Sequence, residues 1–224
     1  MTSNPTGGPG RPTGGPGGGP AGDLTDEPAR WPVVSATEDY RGKIIDVRTD
    51  VVRNPDGGTA VREVVEHPGA VGVVALDHEG RVLMIRQYRH PVGRMLWELP
   101  AGLRDVAGEP LLQAARRELL EETGYRARDW HVLTDYFSSP GIITERLRVF
   151  LARGLEEVPV ADRTFVPENE EAHLTLDWVP LDHAVSRVLA GDLHNGVAVV
   201  GLLAAHTARQ NGFAALRDAE APEN

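Results

Sequence analysis

The chain has 224 residues, more than one domain usually needs and fewer than two full ones. With 23 Lys+Arg against 33 Asp+Glu it carries a formal charge of −10, which argues against a protein that tracks a nucleic-acid backbone. It has no cysteine, which excludes disulfides, thiolate metal sites and a thiol nucleophile. The most apolar stretch, Gly196–Ala205, is about half a membrane span, and no apolar leader opens the chain. A cytoplasmic protein without a nucleic-acid or membrane partner is expected.

Residues 1–22 contain nine Gly and five Pro and almost no side chain to bury, so they are expected to be a disordered tail. Next come two expected strands, Lys43–Val52 and Ala60–Glu66, around the turn signal Asn54-Pro-Asp-Gly-Gly58. Ala70–Leu76 is continuously apolar, as in a strand covered on both faces, and Arg81–Gln87 follows a second turn. Leu111–Glu122 reads as a helix stopped by Gly124. Leu147–Ala152 and Leu174–Val179 read as strands, and Leu181–Ala190 and Gly196–Arg209 as closing helices. Interleaved strands and helices predict a layered α/β fold, with a mixed sheet because of the early hairpin.

The helix at Leu111–Glu122 is unusual in its charges. At about 100° per residue, Glu118, Glu121 and Glu122 share an arc of roughly 100°. Leu112, Ala115 and Leu119 form the adjoining apolar face. Like charges at this spacing repel, and they lie near the helix C-terminus, where the dipole disfavours anions. Two readings stay open on spacing alone: a solvated acidic face, or an oxygen-ligand site for a hard divalent cation. Similarly, Arg86, Arg89 and Arg94 form a basic group in an acidic chain. They suit either a solvated strand end or the pairing of guanidinium forks with phosphates.

Gly102, Glu109 and Arg117-Glu118-Leu119-x-Glu121-Glu122-x-Gly124-Tyr125 together resemble the Nudix box, with one residue extra between Gly102 and Glu109. Trp97-Glu-Leu-Pro-Ala-Gly102, Pro140 within Phe137-Ser-Ser-Pro-Gly141, and Arg86-Gln-Tyr-Arg89 are similar to features of the ADP-ribose pyrophosphatase branch. The resemblance implies a Nudix α/β/α sandwich with a mixed sheet over 67–212 and an N-terminal β-hairpin region at 23–66. A C-terminal tail would occupy 213–224. It implies Mg²⁺- or Mn²⁺-dependent hydrolysis of ADP-ribose to AMP and ribose 5-phosphate, or of another nucleoside-diphosphate sugar or dinucleotide. A non-catalytic ADP-ribose sensor is the remaining alternative.

Residue by residue, it implies metal ligation by Glu118, Glu122 and the Ala101 carbonyl. Glu121 lies beside them as a further ligand or catalytic group. Arg117 would orient the cluster by pairing with Glu109 or Glu121, and Gly102 would permit a tight turn. Arg62, Arg89, Pro140 and Gly141 would meet the substrate, with Arg86 on the opposite strand face. A loop glutamate would be the general base, with Glu170 first, then Glu171 and Glu168. The branch further implies a homodimer joined through the 23–66 region.

Overall fold

The computed structural model describes residues 24–163 and 174–223. The expected tail at 1–22, and the base candidates Glu168, Glu170 and Glu171, lie outside them.

Three strands open the described chain: β1 (Val33–Arg41), β2 (Asp46–Arg53) and β3 (Thr59–Glu66). They form a separate antiparallel sheet in the order β1-β2-β3. The expected hairpin is β2–β3, closed where Asn54 donates its N–H to the Gly58 carbonyl at 2.8 Å. β2 begins at Asp46 rather than Lys43, because Gly42 donates to the Ile45 carbonyl in a turn. β1 gives no apolar alternation to read, since every one of its residues is exposed.

The central sheet has the order β11-β8-β9-β4-β7. Its strands are β4 (Ala70–Ala75), β7 (Ala101–Leu103), β8 (Tyr125–Phe137), β9 (Arg146–Glu157) and β11 (Arg217–Asp218). β4 and β9 are parallel and the remaining pairs antiparallel, so the mixed sheet arises here and not from the hairpin. A third sheet, β10-β5-β6, joins Thr175–Pro180, Arg81–Arg89 and Arg94–Glu98.

Alternation along β4 and β9 divides the core in two. Val71, Val73, Ala75, Phe150 and Ala152 share one cluster with Leu112, Ala115 and Leu119 of α1 (Leu111–Thr123). Val74, Val149 and Leu151 share the other with Leu181 and Ala184 of α2 (Leu181–Leu189) and Ala198, Leu202 and Ala205 of α3 (Gly196–Gln210). Helices thus cover both faces, giving the α/β/α sandwich. Each fully buried Val, Leu or Phe side chain among them contributes about 1.5–3 kcal/mol. The Asn195 side chain caps α3 by accepting from Ala198 N–H at 2.9 Å. Among the described residues, no helix is long and apolar enough to cross a membrane.

Residues 213–223, expected as part of a tail, instead return to the core. β11 pairs with β8, and Ala219 and Ala221 pack against the α1-side cluster. β8 itself was not anticipated. Its register against β9 shifts between Val132 and Thr134, which breaks the two-residue alternation a sequence reading depends on.

Candidate active site

The site is built where α1 crosses β7. β7 pairs with β4 through Val71↔Gly102 and Gly72↔Ala101, which places the Ala101–Gly102 backbone under the helix. Ala101 N–H donates to Glu122 Oε2 at 2.9 Å. The Glu118 carboxylate fills the space beside Gly102: a Cβ added there would lie 2.0 Å from Glu118 Cδ. Gly102 therefore does not serve a tight turn, as the resemblance implied. It sits in a strand, and its lack of a side chain makes room for a carboxylate.

Arg117 organises the cluster. It donates through Nε to Glu109 Oε1 at 3.2 Å and through Nη2 to Glu109 Oε2 at 3.0 Å. Its Nη1 bonds Glu118 and also reaches Glu121 Oε2 at 3.4 Å. Glu109 and Glu121, the two partners expected of Arg117, are both paired with it, and Glu118 is a third. Glu109 and Glu118 hold the guanidinium pKa above its ordinary value, with the Glu109 hydrogen bond the largest cause. One cation faces three carboxylates, so negative charge remains in excess. Burial pushes the Glu118 pKa up; Arg117 opposes this, while Glu121 and Asp105 add to it. The helix is closed by Gly124 at φ 73°, whose N–H donates to the Leu120 carbonyl at 2.8 Å. The extra residue between Gly102 and Glu109 lies in a loop where Glu109 N–H donates to Val106 O and Gly108 adopts φ 78°. The helical cluster is untouched by it.

The donors here are all oxygen: Glu118, Glu121, Glu122 and the Ala101 carbonyl. Oxygen donors with excess negative charge and little solvent fit a hard divalent cation. Among the described residues, no three acidic or histidine side chains already converge on one point. Arg117 and Ala101 N–H draw Glu118 and Glu122 toward separate partners.

The substrate-binding candidates divide. Arg89 donates through Nε to Glu98 Oε1 at 2.9 Å and through Nη2 to Glu98 Oε2 at 2.8 Å, with Gln87 adding a bond at 3.2 Å. Glu98 is 1% exposed and was given no role from sequence. No local signal marks it, because its burial beside a cation depends on how β6 pairs with β5. Arg86 is exposed and two-residue alternation puts it on the other face of β5, over the Trp97 ring at 5.8 Å. Arg62 is exposed on β3 and donates to the Val61 carbonyl at 2.8 Å. Pro140 and Gly141 are exposed in the β8–β9 connection. That connection is stitched to β3, with Val65 N–H donating to Ile142 O at 2.8 Å and Thr144 N–H to Val65 O at 3.0 Å.

Arg163 was not singled out in the sequence. It donates to the Val158 carbonyl at 2.9 Å and to Glu157 at 3.1 Å, and it lies so close to Gly124 that a Cβ there would be 2.2 Å from its Cζ. It anchors the chain at the end of α1 immediately before residue 164.

Comparison with known proteins agrees with this geometry. The NUDIX domain model matches residues 66–198. An ADP-ribose pyrophosphatase of Mycobacterium tuberculosis is 49% identical over 181 residues, covering 81% of this chain and 85% of that protein. One from Bacillus subtilis is 41% identical over 156 residues, covering 70% and 82%. A crystal structure described as an ADP compounds hydrolase superposes with a TM-score of 0.67 at 22% identity, covering 84% of this chain and 99% of that one, which supports the fold. The carboxylates gathered on α1, the strand beneath them and these similarities lead to one conclusion: the chain belongs to the Nudix family of pyrophosphohydrolases.

Proposed function

We propose that the protein hydrolyses the pyrophosphate of ADP-ribose to AMP and ribose 5-phosphate, with Mg²⁺ or Mn²⁺ as the metal. The observation that carries this reading is the placement of Glu118 in the space left open by Gly102, one helical turn from Glu122 at Ala101. The two relatives named as ADP-ribose pyrophosphatases supply the substrate class.

Glu118, Glu122 and the Ala101 carbonyl would hold the metal, with Glu121 beside them. Bound there, the cation supplies charge neutralisation for two linked phosphates and acidifies water. The residues of the chain do the rest. Arg117 fixes the carboxylates along one side of α1. Arg89 fixes Glu98, two residues before Pro100, and so the strand that leads into Ala101. Arg62, Arg89, Pro140 and Gly141 are proposed to contact the substrate. Glu170, followed by Glu171, is proposed to take the proton of the attacking water, which approaches the adenosyl phosphorus. The exposed, apolar-bearing strand β1, with Val33, Val34 and Tyr40 more than half exposed, supports a homodimer formed through the N-terminal sheet.

The test is incubation with Mg²⁺ and a panel of nucleoside-diphosphate derivatives in ¹⁸O water. The expected result is preferential cleavage of ADP-ribose with the label in AMP. Faster turnover of another nucleoside-diphosphate sugar or of a dinucleotide would replace the substrate. ADP-ribose binding without turnover would make the protein a sensor.

A further inference from the structure

The segment Arg217–Glu223 is tied to the rest of the fold by several hydrogen bonds. Arg148, 2% exposed on β9, donates to the carbonyls of Ala221 at 2.6 Å and Pro222 at 3.0 Å. The same guanidinium grips Asp135 on β8 at 2.7 and 2.9 Å, and Arg217 donates to Asp135 at 2.9 Å. Asp218 turns the chain by accepting from Glu220 N–H at 2.8 Å. Ala219 and Ala221 are small enough to lie flat on the α1-side core. The segment is thereby delivered to a defined end point, the Glu223 carboxylate.

That carboxylate lies between two arginines, one just past β7 and one at the start of β9. Arg104 Nη1 is 3.2 Å from Glu223 Oε1, and Arg146 Nε is 3.5 Å from the same oxygen. Arg104 is two residues past Gly102, at the start of the loop to Glu109. Its own N–H donates to the Gly69 carbonyl at 3.1 Å. Arg146 opens β9 at the base of the connection carrying Pro140 and Gly141, and lies over the Phe137 ring at 5.6 Å. One carboxylate thus pairs with both cations and bridges the loop after β7 to the start of β9.

We infer that Arg217–Glu223 is a strap for the active site, with Glu223 a positioning residue that ties the Arg104–Glu109 loop to the connection bearing Pro140 and Gly141. The strap acts on catalysis through Gly102, whose place sets that of Glu118. This catalytic part rests on the proposed hydrolase reading.

The experiment compares the full chain with its Glu223→Gln and Glu223→Asp variants by amide hydrogen exchange and by ADP-ribose kinetics at varied Mg²⁺. In Glu223→Gln, exchange at Arg104 and Thr144 should rise roughly fivefold, the size expected for two partly exposed ion pairs. Val73 and Leu76 in and beside β4 should keep their rates. The kcat should fall and the Mg²⁺ needed for half-maximal rate should rise, and Glu223→Asp should restore both. Unchanged exchange at Arg104 overturns the strap. So does a rise spread evenly over β4, which would mean a general loss of stability, or faster loop exchange at unchanged kcat. A wild-type chain that leaves ADP-ribose intact breaks the hydrolase reading instead, and the exchange comparison still judges the tether.

Discussion

Two groups of partly buried charge lie on the α1 side of the central sheet, and they are resolved in opposite ways. Around Asp135 the cations outnumber the anion, with Arg148 and Arg217 both donating to one carboxylate. Burial alone would raise the Asp135 pKa, but the two arginines outweigh it and hold the group below the usual carboxylate range. Around Arg117 the count is reversed, with Glu109, Glu118 and Glu121 sharing one guanidinium. There burial prevails and the Glu118 pKa rises. A region that satisfies its charges internally holds the fold together. A region that keeps surplus negative charge in a poorly solvated place has given up stability for a cation it does not supply.

The contrast breaks most sharply at Arg148. Arg148→Met removes one of the two partners of a partly buried carboxylate and two carbonyl contacts, and should cost about 3 kcal/mol, read from urea denaturation at pH 7. Asp135→Asn should be destabilising in the same assay, with a particular pH dependence. Because the folded pKa is depressed, the ionised group contributes stability above its unfolded value of about 3.9 and loses it as pH falls through the folded value. The deficit of Asp135→Asn should therefore be full at neutral pH and shrink in acid. At the other group, Glu118→Gln relieves surplus charge. It should lower kcat by roughly 10²–10³-fold with stability unchanged or improved, measured by steady-state kinetics beside the same denaturation curve.

Sequence and structure agree where one residue decides one thing. The α1 boundaries, the apolar β4 and the arc of Glu118, Glu121 and Glu122 depend on local periodicity, and all were legible. The Asp135–Arg148 pair was not, since it joins strands whose register contains a bulge. Its other partners, Ala221 and Pro222, lie more than 70 positions away in sequence. The role of Gly102 shows the limit most clearly. The resemblance marks a glycine at that position, but two explanations are available to any glycine: backbone freedom, or room for a neighbour. Only the approach of Glu118 selects the second. Glu98 was hidden for a related reason, because nothing local says that its side chain is buried beside Arg89.

That distinction can be tested on two glycines, Gly102 in β7 and Gly108 in the loop that follows it. A Cβ at Gly102 meets the Glu118 carboxylate, whereas one at Gly108 meets nothing within 4 Å and is opposed only by φ 78°. Gly102→Ala should displace Glu118 and lower kcat by up to about 10²-fold, since small misplacements of catalytic groups are costly. Gly108→Ala should lose about 1–2 kcal/mol of stability and keep its kcat. If the two variants behave alike, Gly102 serves the backbone after all.

The smallest effect sharpens the comparison from the cation's side. A ligand that binds only the folded protein stabilises it by about 1.4 kcal/mol when present at ten times its Kd. Mg²⁺ should therefore raise the melting temperature of the wild type, and removal by EDTA should reverse it. Glu118→Gln should show little of this response. Arg148→Met should start from a lower melting temperature and show the whole of it, because its charges were settled within the chain and those of α1 were not. Equal responses in wild type and Glu118→Gln would place the cation elsewhere. The surplus charge on α1 would then be an ordinary acidic face.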